Sequence, residues 1–318
     1  MLLPGKAQAR CESDLVRTRP FDHALGRCAW ALLWLATLGG GSSVIGRAAL
    51  SPDVAAAIAL YDEGSYSAAQ MRFDEIARSR PNDPEIDLYR GRLALWFDDA
   101  VAGLAFLQKA VQAAPDDARM QNAFGDGCGL TARHAGFFGK YGWARKCLAA
   151  YARAVALEPG NTDYRLSLLR YYVEAPAIAG GSIAKAYAEA AEIRKLDAAD
   201  GRIAFATVYL TEEKFGQAFG EFDELLRQKA DDFFALYQIG RCAALSGMQL
   251  DRGLTALQRC LQLPLPAGPD RRTTLANIHY RLGNILEKKG DPVAAQAEYT
   301  AARQVYPDFR PDKDTLRD

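Results

Sequence analysis

Histidine is scarce in this sequence. His23, His134 and His279 are the only three in 318 residues, and His134 does not stand with Cys128 and Cys147 at zinc-ligand spacing. No metal ligand is therefore assigned. No Gly-x-Ser-x-Gly, His-Glu-x-x-His or dinucleotide glycine fingerprint occurs, so the common hydrolase, metalloprotease and cofactor signatures have no counterpart. Charge of one sign is lacking too. Lys+Arg and Asp+Glu are both 39, a formal net charge of zero, whereas duplex-binding proteins usually carry a clear basic excess. Nucleic acid is not expected as a partner, no catalytic residue is assigned, and no cofactor is implied. Cysteine is thin as well. Cys11 and Cys28 precede the main body, and Cys128, Cys147, Cys242 and Cys260 are too few for a disulfide framework. Cys128 and Cys147 fall on the two arms of one segment; buried free thiols are the first reading and a bond after export the second.

What is present is the composition of a soluble globular protein, with 49% hydrophobic and 25% charged residues. The first 50 residues differ in kind. Residues 1–27 are polar and irregular, and Cys28–Leu38 (CAWALLWLATL) is apolar. Three glycines and two serines follow, and small residues end near Ala48 and Ala49. That order is the order of a secretory signal, and the apolar run is shorter than the roughly 20 residues that span a bilayer. The leader reads as a cleaved signal, giving a periplasmic or otherwise exported protein. An inner-membrane anchor is the second reading and cytoplasmic retention the third. Its length also suggests that translation starts downstream of Met1.

From Ser51 onward apolar residues recur at helical spacing and punctuation returns at a fixed interval. Pro81 and Pro115 are 34 residues apart, as are Gly91 and Gly125, Ala69 and Gly103, and Ala206 and Gly240. Small residues let two antiparallel helices approach. A proline ends the second helix because it lacks an N–H, and the following Asp or Asn caps the next one. Phe73, Leu107, Tyr151, Phe222 and Tyr299 are placed to fill the space between paired helices. Seven hairpins are drawn, over 52–80, 84–114, 118–159, 162–197, 200–230, 233–263 and 273–307. In the third the closing proline, Pro159, comes 44 residues after Pro115. About ten residues are thus inserted near 126–142, and the second helix is expected to resume around Trp143. A smaller insertion lies near 174–182.

GSYSAAQMRFDEIARSRP, TEEKFGQAFGEFDELL and HYRLGNILEKKGDPVAAQAEYTAARQVYPD are similar to the tetratricopeptide (TPR) repeat. The resemblance covers about 52–307 and implies an all-α, right-handed solenoid of about seven hairpins. It divides the chain into a leader (1–50), the solenoid (51–310) and a polar tail (311–318). It also implies a non-catalytic scaffold that binds a protein or peptide, in the bacterial envelope if the leader is an export signal. A tethered assembly subunit is the alternative, with membrane contact only if the leader stays.

By that resemblance the first helices of hairpins five to seven line a concave groove with Ile203, Thr207, Leu210, Tyr237, Arg241, Asn277, Tyr280, Asn284, Glu287 and Lys288. These do not supply the Lys and Asn pairs of the chaperone-tail clamp. A second candidate surface is the insertion, where His134, Phe137, Phe138, Tyr141 and Trp143 stand among Arg133, Lys140, Arg145 and Lys146. Packing against the neighbouring hairpin is the first reading of those rings, partner contact the second. Glu174–Ala186, with Gly180, Gly181 and Ser182, reads as a long turn ending in a helix cap, not as a phosphate loop.

Overall fold

A computed structural model describes residues 50–266, 271–307 and 309, without the side chains of Phe137 and Phe138. The leader of residues 1–49, part of the linker before hairpin seven and the tail lie outside the described residues. Among the described residues there are fourteen α-helices and no strand. They pair in order: α1 (Pro52–Asp62) with α2 (Tyr66–Ser79), α3 (Pro84–Trp96) with α4 (Ala100–Ala113), and α5 (Ala118–His134) with α6 (Phe137–Leu157). After these come α7 (Thr162–Glu174) with α8 (Ile183–Leu196), α9 (Ala198–Thr211) with α10 (Phe215–Gln228), α11 (Phe233–Ser246) with α12 (Leu250–Gln262), and α13 (Arg271–Lys288) with α14 (Pro292–Val305). Each pair packs on the next, and first helices also touch first helices at α3–α5, α7–α9 and α11–α13. The result is an all-α solenoid of seven hairpins. No helix among the described residues is long and apolar enough to cross a membrane.

The punctuation works as its chemistry requires. Pro81, Pro115, Pro159, Pro264 and Pro307 each stand two residues past the end of a second helix. After three of them a cap follows two residues on. Asp83 accepts from the Glu85 N–H at 3.0 Å, Asp117 from the Arg119 N–H at 2.9 Å and Asn161 from the Asp163 N–H at 3.1 Å. Each of these bonds satisfies a donor that the first turn would otherwise leave open. Between hairpins four and five no proline intervenes, and Asp197 serves both as the last residue of one helix end and as the cap of the next.

Close approach inside the hairpins depends on glycine. A Cβ on Gly91 would lie 2.5 Å from Leu107 Cγ and 3.3 Å from the Gly103 carbonyl oxygen, so α3 and α4 meet almost backbone to backbone. Phe73, Leu107 and Phe222 are buried between helices, and apolar clusters run on from hairpin to hairpin. No hairpin could cover its own apolar faces.

The structure corrects the expected long loop in hairpin three. Compared with hairpin two, α5 continues four residues further beyond its matching glycine, α6 starts seven residues earlier, and the turn is one residue shorter. All ten inserted residues are thereby absorbed into helix, and α6 begins at Phe137, not near Trp143. The physical reason is packing. Trp143, Ala144 and Leu148 lie against a cluster of Cys128, Cys147 and Tyr171, and that burial outweighs the low helix propensity of Gly139 and Gly142.

Candidate functional site: the inner row of hairpins one to four

Two charged positions 34 residues apart, Arg92 on α3 and Asp126 on α5, open the site. Burial opposes the Arg92 charge, but Tyr61, Tyr89, Asp126 and Tyr164 outweigh it and raise its pKa. Those four residues come from α1, α3, α5 and α7, so groups on four successive first helices act on one guanidinium. The row continues on α7. Burial lowers the pKa of Arg170, and Glu174, Tyr151, Asp126 and Asp163 partly offset it. Burial likewise raises the pKa of Glu174, against the pull of Arg170 and Arg133. Glu174 is open to solvent and Arg92, Asp126 and Arg170 are half-buried. Each therefore loses hydration to the surrounding protein while keeping an accessible side. Plus and minus alternate along the row: Arg92, Asp126, Arg170, Glu174.

A phenol from the second layer fixes the middle of this row. A Cβ on Gly125 would sit 2.5 Å from the Tyr151 ring. The glycine therefore admits the ring, and the Tyr151 hydroxyl donates to Asp126 Oδ1 at 2.6 Å. Burial, then the Asp126 charge, push the Tyr151 pKa well above the phenol range. Hairpin seven repeats the device. Gly283 admits the Tyr299 ring, whose hydroxyl lies 2.8 Å from both Asn284 Oδ1 and Glu287 Oε2. In hairpins two and six the knob is Leu107 or Leu257, which has no hydroxyl to give, and the residue after the glycine is Arg92 or Arg241.

The residues expected to line the C-terminal groove are only partly brought together. Ile203, Thr207, Tyr237, Arg241, Tyr280 and Asn284 are half-buried, and Glu287 and Lys288 are exposed. Leu210 is a correction: at 5% exposure it belongs to the apolar core of hairpins five to seven. Asn277 is buried also, at 7%, and its Oδ1 has no hydrogen-bond partner. The Tyr237 hydroxyl accepts from Arg281 Nε at 3.0 Å, and Arg281 is itself buried. Thr207 and Thr211 turn their hydroxyls to the carbonyls of Ile203 and Thr207.

In the insertion, His134 Nε2 lies 3.6 Å from Asp98 Oδ1 across the hairpin boundary. Trp143 is half-buried with Lys146 Nζ 4.1 Å from its ring centroid, so packing accounts for much of it. Tyr141 is half-buried. Phe137 and Phe138 form the first turn of α6. The turn after α7 is a folded plug. Tyr171 donates to the Ala179 carbonyl at 2.6 Å, Gly180 is left-handed at φ 99°, and Ser182 caps α8 from Oγ. Gly181 is obligatory there, because a Cβ would fall 1.7 Å from the Ala175 carbonyl oxygen. Cys128 and Cys147 are free and buried in one cluster, and burial pushes the Cys128 thiol up to about 12 and the Cys147 thiol higher. Among the described residues no group of three or more His, Cys, Asp or Glu is placed to hold a metal ion. A depression of about 550 Å³ lies between the turns at Glu158–Asp163 and Leu196–Asp197, but its Asn161 and Asp197 are already spent as helix caps.

Among solved structures, the TPR protein TTC0263 of Thermus thermophilus is similar at 19% identity, with a TM-score of 0.50 over 66% of this chain and 97% of that one. A tetratricopeptide repeat protein of Parabacteroides merdae matches at 12% identity, with a TM-score of 0.56 over 83% of this chain and 94% of that one. This is the tetratricopeptide-repeat fold. The same TPR arrangement is shared with the Cut9–Hcn1 complex of APC/C, at 12% identity and a TM-score of 0.55, over 81% of this chain and 46% of that one. No protein-family model matches the sequence, and no curated protein does.

The inner row was hidden from sequence reasoning, although a signal for it exists. Arg92 and Asp126 keep the 34-residue register, and Arg170 follows at 44, the same lengthened interval that separates Pro115 from Pro159.

Proposed function

We propose that this TPR solenoid is a non-catalytic scaffold that holds an extended segment of a protein partner along its inner face, in the bacterial cell envelope. The observation that carries the reading is the row Arg92, Asp126, Arg170 and Glu174, in which partly accessible charges of both signs follow one another on successive first helices. A rigid array with side chains already placed lowers the ordering cost of capture on the scaffold's side. Partly desolvated charges of alternating sign select a partner segment of opposite alternation and reject one of uniform sign. The half-buried and exposed residues of hairpins five to seven, Tyr237, Arg241, Tyr280 and Lys288 among them, extend the same track.

The envelope location is supported by the basic, apolar and small-residue order of residues 1–49, with release near Ala48 and Ala49. The run Cys28–Leu38 also favours a second reading, a tethered assembly subunit whose leader is retained. Fractionation separates the two, and N-terminal sequencing of the soluble form is expected to begin near Leu50. The groove is tested by photo-crosslinking from the inner face in envelope extracts. A partner that crosslinks to the parent should be lost from the Arg92→Glu, Arg170→Glu double variant and kept by an Arg227→Glu, Lys229→Glu control. Equal capture by all three would reject the groove.

A further inference from the structure

The tip of hairpin three breaks the charge balance of the chain. From Gly127 to Leu157 there is no Asp or Glu, while Arg133, Lys140, Arg145, Lys146 and Arg153 all occur. Arg153 pairs with Asp116 at 2.5 Å. Arg133, Lys140, Arg145 and Lys146 are exposed, and no carboxylate lies within ion-pair distance of any of them among the described residues. The nearest acids act at the margin: Asp98 beside His134, and Glu174 within reach of the Arg133 charge. Lys185 on α8 is exposed as well and unpaired, its Nζ 5.5 Å from the Tyr172 ring centroid.

Arg133 and Lys140 stand on the added length of the hairpin, and Arg145 and Lys146 follow where α6 begins to match α4. The extra four residues of α5 and seven of α6 carry the tip roughly 6 and 10 Å beyond the level of hairpin two, at about 1.5 Å per residue. Apolar surface accompanies them. Ile178, in the neighbouring turn packed on α6, is 66% exposed, and Tyr141 and Trp143 are half-buried. The α6 N-cap is Gly136, which has no side-chain acceptor, so the positive end of the helix also faces outward.

We propose that this tip docks on a membrane surface rich in anionic phospholipid. A hairpin end bearing unpaired cations beside the exposed Ile178 suits a lipid headgroup layer. There the cations meet phosphate and the apolar groups enter the boundary below it. A nucleic-acid strand asks instead for a groove with a track of cations along several elements, and the cations here belong to the end of one hairpin. This surface is separate from the inner row and does not depend on what that row binds.

The test is co-sedimentation of the full chain with vesicles of phosphatidylcholine alone and of phosphatidylcholine with phosphatidylglycerol, at low and physiological salt. Each basic residue near such a surface contributes about five-fold in partitioning. The preference for anionic vesicles should therefore fall roughly 100-fold in the Lys140→Ser, Arg145→Ser, Lys146→Ser variant. A control that removes as much charge elsewhere, Lys195→Ser, Arg227→Ser, Lys229→Ser, should keep the preference. Parent and variants carry the same leader, so comparing their ratios between the two vesicle types cancels its contribution, and circular dichroism melts verify that both variants fold. No anionic preference in the parent, an unchanged ratio in the tip variant, or an equal loss in the control would each overturn the proposal. So would tip-dependent binding of polyglutamate or an oligonucleotide with no preference between vesicles, which would move the surface to a different partner.

Discussion

Tyr151 on α6 reaches through the gap left by Gly125 to donate its hydroxyl to Asp126 on α5, at 2.6 Å. One glycine thus serves two purposes, allowing the helices to close and allowing a second-layer phenol to hold an acid of the inner row. Replacing Tyr151 by Phe keeps the ring and removes only the donor. A hydrogen bond to a charged acceptor contributes about 1.5–3 kcal/mol, so Tyr151→Phe should lose about that much stability in urea unfolding. Tyr299→Phe, whose acceptors include the neutral Asn284, should lose less. A Tyr151→Phe variant as stable as the parent would remove this role for the hydroxyl.

Glycines with and without a facing neighbour should respond in opposite directions. Gly91→Ala forces a methyl against Leu107 and the Gly103 carbonyl, and overpacking of this kind costs about 1–3 kcal/mol. Gly220 stands mid-helix in α10 with nothing within 4 Å of its would-be Cβ. Gly220→Ala should therefore stabilise by about 0.5–1 kcal/mol through helix propensity alone. Thermal melts of the two variants give the signs directly.

The four described cysteines should be silent in the folded protein. Burial raises Cys128, Cys242 and Cys260 from 9.0 to about 12, and a protonated, enclosed thiol does not attack disulfide reagents. Ellman's reagent at pH 8 should label none of the four until denaturant is added. Linkage gives a second readout. The folded-state pKa values are raised, so this contribution to stability is complete below pH 9 and is lost as pH climbs from 9 to 12. The urea midpoint should accordingly be flat from pH 7 to 8.5 and fall at pH 10.5.

The Gly181 turn should tolerate no side chain. A Cβ there would overlap the Ala175 carbonyl, so Gly181→Ala must break the turn that Tyr171 and Ser182 tie to α7. We expect a loss of at least about 2 kcal/mol, within the usual range for strain imposed on a backbone. Gly160→Ala, with open space around it, should be close to neutral.

Much of the fold could be read in the sequence because its punctuation is chemical. Proline two residues past each of five second helices, followed in three cases by a capping Asp or Asn, marks hairpin ends that the structure keeps. Hairpin three differs in form from its expectation because Gly136, Gly139 and Gly142 among aromatics resemble a loop, and only tertiary packing on Cys128, Cys147 and Tyr171 shows why Gly139 and Gly142 continue a helix. The inner row was missed because its members are scattered over three hairpins. Their common register shows only once the ten-residue insertion is allowed for. Leu210 was placed on the wrong side by analogy with repeat position, whereas its own contacts put it in the core.

The lengthened α5 and α6 also bear on how the chain assembles. In a stacked array each unit gains stability from its own helix pair and from its two neighbours, and among the described residues no other pair has helices as long together as these 17 and 21 residues. Hairpin three should therefore be the kinetic seed, with order spreading outward from it and unfolding beginning at the ends. Amide exchange should be slowest in α5 and α6 and quicken towards α1 and α14, so an interior irregularity in the repeat would govern the folding order of the whole protein.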